Sequence, residues 1–168
     1  MLPMAKLDAD RPEVLLRPLD EPRLAELLDA AVAGAEPDEV MPPVPGPPGW
    51  TAERRRAFLD FHRSRSIGTE QPVEETFVIY ADGRAAGAAR LEGTWAGVEA
   101  GLWVTRGQRG RGVGGAAVRR LRELAAERGH QRLIAATTPG NTAARRLLAA
   151  AGAHLVATDT SVQAVIEL

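Results

Sequence analysis

The chain has 168 residues, 45% of them hydrophobic and 26% charged, which suits one soluble globular domain with a real core and leaves no room for a second of ordinary size. The 21 lysines and arginines against 22 aspartates and glutamates give a net charge of -1, so net charge supports no large nucleic-acid or membrane footprint. Without cysteine, disulfides, thiolate nucleophiles and cysteine-ligated metals are excluded, and the scattered His62, His130 and His154 argue against a metal site.

No run approaches the roughly 20 apolar residues of a membrane span. Met1 to Arg11 lacks the apolar core of a signal peptide, so the expected setting is the cytoplasm, with residues 1–11 a flexible N-terminus. Val14 to Arg17 reads as a short strand. The spacing of Leu24, Leu27, Leu28, Ala31 and Val32 predicts a helix over 21–33. Glu36 to Trp50 then holds six prolines in fifteen residues, which argues against regular helix or central strand. A second helix is expected from about Thr51 to Ser64, with Phe58 and Phe61 inward.

Two β-rich arms surround Asp82-Gly83, a strong hairpin signal, which predicts strands over 76–80 and 85–91. A third strand is expected over 97–104. After it, Val118, Leu121, Leu124 and Ala125 recur at helical spacing, and Gly129 is placed to end that helix. Arg132 to Thr137 reads as a buried strand. Asn141 is an N-cap for a helix carrying Ala144, Leu147, Leu148 and Ala151, which stops at Gly152. Two short strands over 154–158 and 162–166 close the chain, so the expected class is α/β, a mixed, mostly antiparallel sheet of about six to seven strands flanked by about four helices.

Charge is uneven along this order. Arg106 to Arg146 holds ten arginines against Glu123 and Glu127, whereas the first sixty residues hold twelve acids against seven bases. The most concentrated stretch is TRGQRGRGVGG, Thr105 to Gly115, between a strand and a helix. A glycine-rich turn at a helix N-terminus presents unpaired N–H groups, and the helix dipole adds roughly half a positive charge. Arg109 and Arg111 add fork-shaped donors, and Gly110, Gly112, Gly114 and Gly115 remove Cβ atoms that would keep a diphosphate from the backbone. A phosphate-bearing ligand is therefore expected, the alternative being a solvated Arg/Gly loop. The literal GxGxxG at Gly110, Gly112 and Gly115 is weak evidence for a dinucleotide, because no acidic residue stands among 132–141 to hold a ribose and too few residues follow. The nucleoside-triphosphate loop fails too, for want of Gly-Lys-Ser/Thr.

These residues carry a resemblance. VTRGQRGRGVGGAA resembles the acyl-CoA-binding motif of the GNAT superfamily of N-acetyltransferases at Arg109, Gly112 and Gly114. NTAARRLLAAAG is similar to that family's second signature at Asn141, Ala144, Leu147 and Gly152. The resemblance implies a GNAT-like acetyltransferase domain over 12–168, acetyl-CoA as co-substrate, and direct transfer to an amine. It further implies that the N–H groups of Val113, Gly114 and Gly115, with those of Gly110, Arg111 and Gly112, hold the diphosphate. Leu102, Trp103 and Val104 would pair with the pantetheine arm, and a Val104 or Trp103 N–H would serve the developing oxyanion. Asn141 would touch the CoA arm, and Arg145, with Arg146, would be a candidate for the 3'-phosphate.

For the catalytic base the resemblance points to Glu99, whose burial would raise its pKa toward neutrality; Glu92 and His62 are alternatives. The family's usual tyrosine acid is replaced by Leu148, which leaves water or a hydroxyl such as Thr142, since Tyr80 reads as core. Asp38 and Glu39 would attract a cation, so the first expectation for the acceptor is a cationic small-molecule amine, aminoglycoside-like in kind. Acetylation of a protein N-terminus, a non-catalytic CoA-binding module and Arg/Gly RNA binding are the other readings. No metal, nucleic-acid or membrane partner is expected, and a homodimer would be in keeping with the family.

Overall fold

The computed structural model describes residues 11–168, so the expectation for the N-terminus falls, but for Arg11, outside the described residues. Seven strands form one sheet in the order β1-β2-β3-β4-β5-β7-β6. They are β1 (Val14–Pro18), β2 (Glu75–Ala81), β3 (Arg84–Thr94), β4 (Gly97–Val104), β5 (Arg132–Thr137), β6 (His154–Ala157) and β7 (Val162–Glu167). Every pairing is antiparallel except β4 with β5. The helices are α1 (Glu21–Gly34), α2 (Pro37–Val40), α3 (Ala52–His62), α4 (Val113–Glu127) and α5 (Thr142–Ala150).

The expected class and element order are found, with one helix more than expected. The proline-rich segment contains α2, because Pro37 stands at the first helical position, where a missing N–H and a fixed φ cost nothing. The β2–β3 hairpin turns on Asp82 and Gly83 at φ 49 and 78, the paired positive angles that a two-residue turn between right-twisted strands requires.

The alternation of β2 divides the core. Phe77 and Ile79 point into the layer with Val113, Leu121 and Leu133, on the α4 side. Val78 points the other way, among Leu24, Leu27, Ala31 and Phe58 of α1 and α3. Phe58 is fully buried there, and truncating such a side chain to alanine costs about 3–5 kcal/mol.

The parallel pair sets up the site. β4 and β5 pair only at Val98↔Leu133 and Glu99↔Ile134. At their start they are forced close: a Cβ on Gly97 would lie 2.6 Å from the Arg132 carbonyl oxygen. Beyond Glu99 they part, β5 keeps its other edge on β7, and a gap opens at the carboxyl ends of the two strands. Clefts of this kind are where open α/β sheets take their ligands.

Candidate functional site

Leaving β4, the chain makes one 3-10 turn at Arg106–Gln108 and then enters α4 through Gly110 and Gly112, both with positive φ (74 and 83). Gly112 is the N-cap of α4 and has no side chain to cap it, and the first helical bond is Ala116 N–H to Gly112 O. The N–H groups of residues 110–115 therefore make no hydrogen bond within the described protein. A Cβ at Gly110 or Gly112 would meet nothing within 4 Å, so the turn is uncrowded at these two positions. Unpaired amides at a helix N-terminus are the make-up of an anion cradle.

The cradle ends a cavity of about 850 Å³ that runs through the β4–β5 gap, with Leu102, Val104, Ala135, Asn141 and Leu148 in its walls. Thr105 N–H donates to Ala86 O across the β3 edge, so by the alternation of an antiparallel ladder Trp103 also faces β3, while the N–H groups of Leu102 and Val104 face the gap. Of the two candidate oxyanion donors, Val104 is the one so directed. Asn141 caps α5 by accepting from Ala144 N–H at 3.1 Å and stands in the far wall.

A second cavity, about 350 Å³, lies on the α1–α3 face of the same strand. It shares Gly101, Leu102, Trp103 and Glu39 with the first, so the two meet across β4, and Glu39 is the one carboxylate in both walls. Its outer wall is the proline-rich segment, fixed by Arg54. That guanidinium is buried and donates to the carbonyl oxygens of Val44 (2.9 Å), Gly46 (3.2 Å), Gly49 (2.9 Å) and Pro47. One cation thus satisfies carbonyls that prolines leave without ladder partners. Two ion pairs tie α2 to the glycine loop, Arg106–Glu36 at 3.2 Å and Arg109–Glu39 at 2.6 Å.

The inner wall of the smaller cavity holds a charged network. Glu74, its side chain 2% exposed, accepts from Arg65 at 2.6 Å and lies 4.0 Å from Arg90. Arg90 also donates to Glu92 at 3.1 Å and Glu99 at 2.7 Å. Beside them stand buried His62 and Thr76. Burial first, and the charge of Arg65 second, push the His62 imidazole down from 6.5 to about 4. The folded state therefore excludes a proton that the unfolded chain accepts. The stability this supplies is complete above about pH 6.5 and is lost as pH falls toward 4, about 3 kcal/mol in all. We expect the Tm to fall across that window and the fall to shrink in His62→Phe; equal slopes in both proteins would exclude His62 as the cause.

Residues 38–153 match the model of the acetyltransferase (GNAT) family. The chain belongs to that family. Solved structures agree at the level of the fold. The GNAT domain of S. lividans PAT superposes with a TM-score of 0.69 at 19% identity, over 91% of this chain and 89% of that one. Mycobacterium smegmatis RimJ, crystallised with CoA-disulfide, gives 0.73 at 19%, over 92% and 81%. The spermidine/spermine N-acetyltransferase SpeG of Vibrio cholerae gives 0.64 at 13%, over 92% and 93%. No curated protein matches the sequence.

Within this acetyltransferase the expected site residues separate into two groups. Leu102, Trp103, Val104, Arg109, Gly110, Gly112, Val113, Gly114, Gly115 and Asn141 all line the larger cavity. Arg111 and Arg145 do not: Arg111 bonds Gln108 at 2.6 Å, and Arg145 spends an N–H on Pro139 O at 3.1 Å. Arg109 is in the wall, but its guanidinium turns to Val104 O (3.0 Å) and Glu39 instead of the cradle. Glu99 faces the side of the smaller cavity without lining it, and the expected burial is not found, because its side chain is 42% exposed and paired with Arg90. Leu148 does reach the cleft, whereas Thr142 does not, and Tyr80 donates to Glu26, away from both cavities.

Sequence reasoning missed Glu74 and Thr76. A threonine in register with Val78 on a buried strand was the available signal for the second. Among the described residues, no cluster of His, Asp and Glu could hold a metal ion, and no helix is long and apolar enough to cross a membrane.

Proposed function

We propose that this chain, as one domain over residues 12–168, moves the acetyl group of acetyl-CoA directly to a primary amine of a cationic small molecule. The observation that carries the reading is the meeting of the two cavities across Gly101 to Trp103, with the anion cradle at the end of the larger. What supports the donor reading is that the amides of this turn are unpaired and that Gly110 and Gly112 stand in open space, while Gly114 makes room for Leu147. Bound there, the thioester would supply an activated acetyl group. The amides of residues 110–115 would hold the diphosphate, and Leu102 and Val104 would pair with the pantetheine arm, Val104 N–H serving the carbonyl oxygen. Arg111 and Arg145 would reach phosphate groups only by releasing Gln108 and Pro139.

Glu39, at the junction, would hold the acceptor's ammonium by sharing or releasing its ion pair with Arg109, and Glu99 would receive its proton through water. Asp38 stands in the same cavity wall, and the acidic lining suits a cation. A volume of about 350 Å³ is at the low end for small-ligand pockets, which favours a compact amine over an extended peptide N-terminus.

The test is a thiol-release assay over a panel of amines. Glu39→Gln is expected to raise the KM for the amine about tenfold, the equivalent of one charge contact, with the KM for acetyl-CoA held. Glu99→Gln is expected to lower kcat; an unchanged rate would remove Glu99 from the reaction. Acceptance of peptide N-termini with no small amine turned over would replace the acceptor class.

A further inference from the structure

The smaller cavity carries polar groups that nothing in the protein uses. Both imidazole nitrogens of His62 and the hydroxyl oxygen of Thr76 lack a hydrogen-bond partner, although the two residues are only 4% and 5% exposed. Their neighbours explain why. His62 is met edge-on by the rings of Phe58, at 4.7 Å, and Phe61, at 5.2 Å, neither of which can pair with it. Arg65, the nearest cation, is committed to Glu74 and Glu92. Thr76 projects from β2 into the same space between Glu74 and Val78. Buried polar atoms without partners are rare because each keeps the cost of its lost hydration. Three of them, on two residues that line one cavity next to the site where an acceptor must lie, point to a ligand.

We infer that His62 and Thr76 form a second recognition subsite for the acceptor, which receives a hydroxyl group carried by the same molecule as the reacting amine. This rests on the amine-acceptor reading above and narrows it to hydroxylated amines, such as amino alcohols and amino sugars. The matching is by hydrogen-bond type. A neutral imidazole offers one donor and one acceptor nitrogen, and the threonine hydroxyl offers both functions on one atom. A hydroxyl both donates and accepts, so it can answer either residue. A second ammonium only donates, so it can answer the imidazole only at its acceptor nitrogen, whereas a hydroxyl can answer whichever nitrogen faces the cavity. The ammonium would also enter the surroundings that keep His62 itself uncharged, a buried position beside Arg65. An alkyl chain would leave all three atoms unpaired. In the free protein the atoms are closed off from water, so the subsite requires a change of Thr76 rotamer or a rotation of the His62 ring to turn them toward the cavity both residues line.

The experiment pairs substrates and variants. Amino alcohols, alkylamines and diamines of matched length, with glucosamine as the amino sugar, are compared by kcat/KM in the wild-type protein, in Thr76→Val and in His62→Phe. The wild type is expected to prefer amino alcohols over alkylamines and diamines by about tenfold, one hydrogen bond's worth, and each variant to reduce that ratio toward one. The Tm of Thr76→Val without acceptor is expected not to fall, since the substitution removes an unpaired buried group and keeps the shape. Should His62→Phe fail to fold, Thr76→Val carries the test. A wild-type preference for diamines, equal use of amino alcohols and alkylamines, or a ratio unmoved in Thr76→Val would overturn the subsite alone. No turnover of any amine, with acetyl-CoA still raising the Tm, would overturn the acceptor reading and the subsite with it.

Discussion

Replacing Gly112 with aspartate is expected to weaken acetyl-CoA binding by about 100-fold while the protein stays folded. The position has a φ of +83 and open space where a Cβ would point. Aspartate is among the few side-chain-bearing residues that tolerate this left-handed conformation, so the backbone need not move. What changes is the sign of the field. A carboxylate at the N-cap of α4 would set a full negative charge beside the amides of the first turn, where the diphosphate is to be held. Like charges brought together in a binding site cost several kcal/mol, and each 1.4 kcal/mol is tenfold. Calorimetric titration of acetyl-CoA, with the Tm of the free protein as the control, reads both halves of the expectation. Gly112→Asn, which fits the same φ without the charge, is expected to lose far less. If the aspartate and asparagine variants bind equally, the field of this turn is not what holds the donor.

Gly87→Ala is expected to damage stability and activity together. A Cβ at this residue of β3 would lie 2.0 Å from the Trp103 carbonyl oxygen and 3.0 Å from its carbonyl carbon. Both are backbone atoms of β4 and cannot swing aside as a flexible side chain can. The strands must separate at Gly87↔Val104, the end of the ladder from which both cavities take a shared wall. Distortions of this kind belong with the more severe point mutations, about 3 kcal/mol or more, which lowers the Tm of a domain this size by about 10 °C. Because the displaced segment presents the Leu102 and Val104 amides, kcat/KM should fall further than the lost stability accounts for at a temperature where the variant is still folded. Gly93→Ala, in the same strand but with nothing within 4 Å of its added Cβ, is the neutral comparison. A Gly87→Ala protein as stable as that comparison would show that β3 and β4 have more slack than their spacing here allows.

What the sequence disclosed follows the range of the forces involved. The Asp82-Gly83 turn, the strands at Gly97–Val104 and Arg132–Thr137 and the Asn141 cap were legible because each depends on neighbours within a few residues. The anion cradle was legible for the same reason, as its amides, glycines and helix start are one continuous stretch. α2 was hidden because prolines were read only as breakers, although at the first helical position Pro37 favours the turn it begins.

The smaller cavity was mostly illegible. Its wall gathers Glu39 from α2, His62 from the end of α3, Glu74 just before β2, Thr76 from its start and Arg90 from β3, segments that no periodicity connects. The same distance effect redirected individual side chains. Arg109 sits in the motif expected to attract phosphate, yet Glu39, seventy residues earlier, takes its guanidinium. Glu99 lies on the expected strand, but Arg90 across the ladder neutralises it at the surface, so that the burial expected of a tuned base is absent. Charges choose partners in space, and a strand pattern gives the face of a residue without its counter-ion.

The central claim is that the main-chain amides of residues 110–115 hold the diphosphate of coenzyme A. The most direct measurement is a crystal structure of the protein with acetyl-CoA. The account predicts diphosphate oxygens within hydrogen-bond distance of several of these amides and the pantetheine arm in the β4–β5 gap. A donor bound elsewhere, or lying in the gap with this turn empty, would contradict it.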